Sequence, residues 1–357
     1  MNHPLQSDRS PAPQPGPQGP GGPAGPPPGS VRLLRMLVAP WLAQSLYALA
    51  EAGVAELLAD GPRPSAELAA GTGLHADTLF RMLRSLASVG VFTESEPGVF
   101  GLTETGQFLR GDVPGTQKYS ALLFGAETFR SWAEISHTAR TGTPAFEYLH
   151  GVTFYDYLTD HPQAAETFNK VMGFAGVVPP AARALDLAGV ERVVDVGGGN
   201  GTLLAALLAA NPGVRGTLFD LKEAVDGSAG VLAAAGVADR CEVVAGSFFD
   251  GVPAGGDVYL LSRVLHNWSD EQAVAVLRGI REALGGSGRL VVFERLLPPG
   301  DQPSIGKLFD LVMMVVLGGR DRSAPEYRRL LDAAGFGEVE EHPGGGEVGV
   351  LVARPRG

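Results

Sequence analysis

The chain has one cysteine, Cys241, in 357 residues. No internal disulfide can form, and a reducing compartment, the cytoplasm, is expected. Positive charge is the scarcer sign: 28 Lys and Arg stand against 39 Asp and Glu, a net charge of −11. A protein that tracks nucleic-acid phosphates normally carries a basic face, so no nucleic-acid partner is expected. A run of about 18 uncharged apolar residues is missing, so no membrane span is expected. The most apolar stretch, Met36 to Ala50, is broken by Pro40 and Gln44 and reads as a core helix. Residues 1–29 lack the basic start and apolar centre of a secretory signal. They hold ten Pro and six Gly and almost nothing apolar, so they read as a disordered tail. Elsewhere the chain is rich enough in hydrophobic residues, 45% overall, for sizeable cores, and its length suits two domains.

Residues 30–185 have a helical pattern. Leu33, Leu34, Leu37, Leu42, Leu46 and Leu49 recur at three- and four-residue spacings and predict one amphipathic face. A helix from Ser65, a turn over Gly71 to His75 and a helix capped by Asp77 come next. Two short strands, Val91–Thr93 and Val99–Leu102, flank a Gly98 turn. Helix, turn, helix and two-stranded wing make a winged-helix pattern. Over residues 186–357 strands and helices alternate, with a single helix expected from Glu223 to Ala235. Such alternation predicts a mainly parallel sheet covered on both faces. The last two strands, Gly337–Glu341 and Val348–Ala353, are joined by a Gly-rich turn and must pair antiparallel at the edge.

The most informative segment is Asp195-Val196-Gly197-Gly198-Gly199-Asn200-Gly201, which follows a strand and opens a helix. Its glycines permit close backbone approach to a ligand, and the helix start favours an anionic group. The glycine steps do not fit the dinucleotide spacing G-x-G-x-x-G. Asp220 ends the next strand, 21 residues after Gly199, where a carboxylate can accept hydrogen bonds from both hydroxyls of a ribose. His266 follows the fourth strand, where an imidazole can take a proton near pH 7.

These residues resemble the S-adenosylmethionine-dependent methyltransferases, whose first cofactor motif D-x-G-x-G-x-G matches Asp195 to Gly201. Phe168-Asn169-Lys170-Val171-Met172, Val264-Leu265-His266-Asn267-Trp268 and Leu317-Gly318-Gly319-Arg320 are similar to segments of the caffeate, hydroxyindole and anthracycline type of small-molecule O-methyltransferase. The resemblance implies an α/β fold class. A winged-helix dimerisation domain (30–185) would precede a Rossmann-like class I domain (186–357) with a mostly parallel seven-stranded sheet and an antiparallel edge strand. It implies S-adenosylmethionine as cofactor, held by Asp195, Gly197, Gly199, Asp220, Leu221, Ser247, Phe248, Phe249, Ser262 and Arg263. Ser247 stands where the family usually has Asp, and Asn267 where Asp is frequent.

The resemblance also implies His266 as general base, with Glu294, 28 residues on, and Glu326, 60 residues on, as its acidic partners. Phe154, Phe168, Met172, Asn267, Met313 and Met314 are the expected acceptor wall. No metal-spaced cluster follows the fourth strand, so metal-free methylation is expected. The partners implied are a small hydroxylated aromatic acceptor and a second copy of the chain. Two other readings remain open at this point. One is a related enzyme with hydroxylase-like or decarboxylating chemistry; the other is a winged-helix regulator, for which Arg81 and Arg84 supply little positive charge.

Overall fold

The computed structural model describes residues 28–175, 178–183, 185–286, 288–345 and 347–357. Nearly all of the Pro/Gly-rich tail, residues 1–27, lies outside the described residues. The C-terminal half is built on one sheet of β1 (Arg192–Val196), β2 (Arg215–Asp220), β3 (Cys241–Ala245), β4 (Val258–Ser262), β5 (Arg289–Arg295), β6 (Phe336–Gly345) and β7 (Val348–Pro355). The strand order is β3-β2-β1-β4-β5-β7-β6. The first five are mutually parallel, and β7 runs antiparallel to both β5 and β6.

Alternate residues of each strand face opposite sides. Val194, Val196, Leu261 and Val292 pack against α7 (Asp270–Leu284) and α9 (Ala324–Ala333). Val193, Leu218, Leu260 and Val291 pack against α6 (Thr202–Ala210). Burying each such side chain contributes roughly 1.5–3 kcal/mol. The strand order reverses direction between β1 and β4, and at that point the carboxyl ends of parallel strands leave a crevice for a ligand. The single helix expected from Glu223 to Ala235 is two, Lys222–Val225 and Ser228–Ala234, parted at Asp226-Gly227.

The N-terminal region contains α1 (Gly29–Glu51), α2 (Ser65–Thr72), α3 (Ala76–Ala87) and the wing strands Phe92–Glu96 and Val99–Leu102. The two-residue strand Arg63–Pro64 joins the wing as a third member. The cap of α3 is His75, whose Nδ1 accepts from Thr78 N–H at 3.4 Å, and not Asp77. The leucines of α1 do not form one buried face: Leu49 is buried, whereas Leu33, Leu34 and Leu37 are 58%, 58% and 64% exposed. Met36 and Trp41 are exposed beside them, so the first half of α1 presents an apolar surface to the outside of the chain. By length and hydropathy alone, α1 could cross a bilayer.

The two halves interlock through α4 (Phe154–Asp160), α5 (Pro162–Ala175) and α8 (Ile305–Val312), which runs into a π-helix, Met313–Leu317. Val315 and Val316 of that π-helix bury themselves against Phe146, Phe154 and Leu158. A full π turn is rare and concentrates at functional sites.

Candidate active site

The glycine loop leaves β1 with Gly197, Gly199 and Gly201 at φ +71°, +56° and +79°. These left-handed conformations disfavour any side chain. A Cβ on Gly198 would stand 2.7 Å from the Asp195 carboxyl carbon. Asp220, at the end of β2, clamps the loop: its Oδ2 accepts from Gly199 N–H at 2.8 Å and its Oδ1 from Leu221 N–H at 2.7 Å. Burial pushes the Asp220 carboxyl up, and the two backbone donors oppose that. Asp195 is fully buried beneath the loop; burial, with the Asp220 charge, pushes it up to about 7.

Ser247, Phe248 and Phe249 follow β3. The Ser247 hydroxyl accepts from Phe249 N–H at 3.2 Å. Phe248, Phe249 and Trp268 stand edge to face, with ring centroids 4.8–5.7 Å apart. The aromatic wall follows β3, next to the strand that ends in Asp220, and aromatic faces beside a carboxylate are groups that fit a nucleoside such as the adenosine of S-adenosylmethionine. Ser262 ends β4, and Arg263 follows at φ +58°, a strained conformation for a non-glycine residue. Tyr155, which no sequence motif singles out, lies within electrostatic reach of Asp220 and Arg263. Desolvation pushes its hydroxyl up to about 12, with Asp220 adding to the rise and Arg263 opposing it. The residue is 40% exposed.

His266 lies in a 3₁₀ turn, Leu265–Asn267, and is 6% exposed. Several groups hold that turn. Glu294 Oε1 accepts from Leu265 N–H at 2.8 Å. The buried Arg322 guanidinium donates to the carbonyls of Leu265 and Trp268 and to Asp270. Arg320 N–H donates to the His266 carbonyl at 2.6 Å. A Cβ on Gly319 would collide with that same carbonyl, so the Gly318-Gly319 turn is needed for this approach. Ser269 and Gln272 form a capping box that starts α7 directly behind the turn.

Glu294 is brought to His266: its Oε2 is 3.2 Å from His266 Nδ1. Glu326 is not. Its Oε2 accepts from Ser323 N–H and hydroxyl at 2.9 and 2.6 Å, capping α9, and its Oε1 accepts from Arg320 at 3.1 Å. The second carboxylate on His266 Nδ1 is Asp321, with Oδ1 at 3.5 Å. Burial alone would lower the imidazole pKa, but Glu294 and Asp321 outweigh it and raise it to about 9.

This raised value makes stability depend on pH. The unfolded ring titrates near 6.5 and the folded ring near 9. The stabilisation, on the order of 3 kcal/mol, is fully present below pH 6.5 and is lost as pH rises through about 9. At fixed protein concentration, the urea midpoint should therefore fall from pH 6.5 to 9, and fall less in His266→Asn. Equal slopes in both proteins would contradict it.

The expected acceptor wall is partly assembled. Phe154 and Phe168 meet edge to face at 5.5 Å, and Met314 packs in the same cluster. Met313 begins the π-helix, Met172 lies on α5 at 36% exposure, and Asn267 Nδ2 donates to the Arg263 carbonyl at 3.4 Å.

A reversed strand order, a glycine loop clamped by an acid at the end of β2 and an aromatic wall together define a class I methyltransferase, with S-adenosylmethionine as its cofactor. The chain belongs to the O-methyltransferase family: the family's O-methyltransferase domain matches residues 132–337 and its dimerisation domain residues 32–111. It is similar to the phenazine O-methyltransferase of Lysobacter antibioticus, with 42% identity over 92% of this chain and 97% of the relative. An 8-amino-8-demethylriboflavin N,N-dimethyltransferase of Streptomyces davaonensis is 33% identical over 90% of this chain and 94% of its own. A solved O-methyltransferase from neocarzinostatin biosynthesis, in complex with S-adenosylmethionine and 2-hydroxy-5-methyl naphthoic acid, superposes with a TM-score of 0.81 at 35% identity. That match covers 91% of this chain and 98% of the other. The family settles the enzyme reading against the winged-helix regulator.

The dimerisation domain, residues 32–111, includes α1, and its open apolar face is what a surface covered by a second copy would present. Light scattering at micromolar concentration should give the mass of two chains, and Leu37→Glu with Trp41→Glu should reduce it to one. A parent with one chain's mass would overturn this.

Proposed function

We propose that the chain methylates a phenolic or similar hydroxyl of a small aromatic secondary metabolite, with His266 as general base. The observation that carries this reading is a buried imidazole, engaged at Nδ1 by carboxylates, at the carboxyl edge of the sheet beside the glycine loop. A phenol has a pKa near 10, so few molecules are ionised at neutral pH. A hydroxyl acceptor therefore benefits from a base, typically by about 100- to 10,000-fold.

When bound, S-adenosylmethionine supplies an activated methyl on a sulfonium and leaves as S-adenosylhomocysteine. The chain aligns the acceptor oxygen, worth up to roughly 7–11 kcal/mol of the barrier. Phe154, Phe168, Met172, Met313 and Met314 shield the oxygen from water, and Asn267 borders it. His266 Nε2 takes the hydroxyl proton as the new O–C bond forms, while Glu294 holds the Nδ1–H and supports the imidazolium. Antibiotic-type aromatic acceptors fit the named relatives, and a cytoplasmic setting fits the single Cys241.

Methyl-labelled cofactor incubated with a panel of hydroxylated aromatics and their amino analogues should yield O-methyl ethers by mass spectrometry. Methylation of the amino analogues alone would replace the oxygen acceptor with nitrogen. Unmethylated, decarboxylated or hydroxylated products would overturn the methylation reading itself.

A further inference from the structure

We propose that Glu347 is a positioning residue for the acceptor: it clamps the start of α8 to the sheet and so holds Met313 and Met314 at the acceptor wall. The inference deepens the proposed function and rests on its reading of those two methionines as part of that wall.

Glu347 stands immediately before β7, outside every motif the sequence singles out. Its Oε1 accepts from Ile305 N–H at 3.0 Å and its Oε2 from Gly306 N–H at 2.8 Å. These are two of the first N–H groups of α8, which have no acceptor within the helix, and the helix dipole favours a carboxylate there. The same Oε2 lies 3.7 Å from Arg295 Nε at the end of β5, and the Arg295 guanidinium is seated 4.6 Å over the Phe309 ring of α8. A Cβ on Gly306 would collide with the Arg295 side chain, so glycine is what lets helix and strand approach this closely. Burial alone would raise the Glu347 carboxyl, but Ser304, the two backbone donors and Arg295 hold it below its ordinary value.

Little else fixes this end of the helix. Among the described residues, the other side-chain hydrogen bonds of its first turn stay within its own loop. Ser304 Oγ accepts from Gly306 N–H, and Lys307 donates to the Gly300 and Gln302 carbonyls. The outer face, Ile305, Leu308 and Leu311, is exposed, so packing within the chain holds α8 from one side only. The far end has its own anchor. Asp310 Oδ1 accepts from Asp321 N–H at 2.8 Å, and the π-helix that follows ends at the Gly318-Gly319 turn against the His266 carbonyl. Helix and π-helix thus form a strut between the edge of the sheet and the turn that carries His266. Freed at the Glu347 end, the strut keeps one anchor and can turn about it, carrying both methionines with it. A misplacement of about 1 Å in such a wall can cost up to about 100-fold.

The first readout needs no acceptor. Full-length protein with ¹³C-methyl methionine, loaded with S-adenosylhomocysteine, is compared by NMR, with Met313→Leu and Met314→Leu assigning the two signals. Met313 lies roughly 12 Å along the strut from Ile305, so a purely local loosening of the helix start would leave its signal in place. Glu347→Gln keeps the size and removes the charge. It should shift or broaden the Met313 and Met314 signals and leave Met82, in the N-terminal core, unmoved. Glu347→Asp should return them part of the way. Ile305→Pro removes one of the two donors at the first helical position, which suits proline, and Ser304 before it is already extended at ψ 134°. It should act in the same direction, less strongly, and it carries the decision should Glu347→Gln fail to fold. The second readout uses a panel member that the parent methylates. Glu347→Gln should raise its KM by about tenfold or more, with a smaller change in kcat and none in S-adenosylhomocysteine affinity. Unmoved Met313 and Met314 signals in the folded variant overturn the proposal, as does a parent-like acceptor KM. A panel without any methylated member would instead overturn the function reading, which the methionine signals do not test.

Discussion

Replacing Gly199 by Val should abolish S-adenosylhomocysteine binding, and Asp220→Ala should weaken it by about 30- to 150-fold. The two effects have different origins. Gly199 sits at φ +56° in the loop that opens α6, where a β-branched residue is strained before any ligand arrives. Its N–H is also the group that Asp220 Oδ2 holds at 2.8 Å. Valine thus disturbs both the loop shape and the space into which a ligand must come. Asp220→Ala removes the charge-assisted acceptor expected for the ribose hydroxyls, worth about 2–3 kcal/mol, which gives the fold range above. It also frees the Gly199 and Leu221 N–H groups, so some of the loss comes from a loosened loop. Asp220→Asn separates the two contributions, because an amide oxygen can still accept one backbone bond while the charge is gone. Calorimetry is the measurement. Parent-like affinity in both Gly199→Val and Asp220→Ala would remove this loop from the cofactor site.

The parts of the site legible in the sequence are those whose chemistry is local. Asp195 to Gly201 joins a strand to a helix within seven residues, and Asp220 closes the next strand, so local pattern and sheet topology place them together. Glu294 is legible because it stands at the end of β5 while His266 follows β4, and parallel register aligns the two strand ends. Asp321 is hidden between Arg320 and Arg322, where alternating charges resemble a solvated turn. Its burial depends on Arg295, Asp310 and the Gly318-Gly319 turn, which come from other elements. Glu326 shows the opposite case. Distance from His266 suggests a partner of the base, yet Ser323-Ala324-Pro325-Glu326 carries its own capping-box signature, S-x-x-E with Pro in the first turn. The local hydrogen bonds prevail over the long-range expectation. For α1, the leucine periodicity is real, but its first half stays exposed among the described residues, and a single sequence does not reveal which apolar stripe is left open for a second copy to cover.

His266→Ala should lower single-turnover methyl transfer by about 100-fold or more while leaving S-adenosylhomocysteine affinity nearly unchanged. The pH at which this is measured matters. With the ring's pKa raised to about 9, roughly one ring in a hundred is neutral at pH 7, and only the neutral ring accepts a proton. The parent rate should therefore climb with pH and level off above about 9. The variant has no such plateau. Its residual rate depends on the acceptor ionising by itself, and should keep rising towards the phenol's own pKa near 10. The deficit is then nearly constant below about pH 9, where both rates rise tenfold per unit, and it narrows above that, where the parent has levelled off and the variant still rises. Glu294→Gln should cost less than His266→Ala, because it leaves an imidazole in place and removes one of the two anions that retain its proton. Its limb should move to lower pH. If His266→Ala transfers methyl at the parent's rate near pH 9, proton removal contributes nothing to the barrier. His266 would then be only a wall of the pocket, and catalysis would rest on alignment of the acceptor oxygen alone.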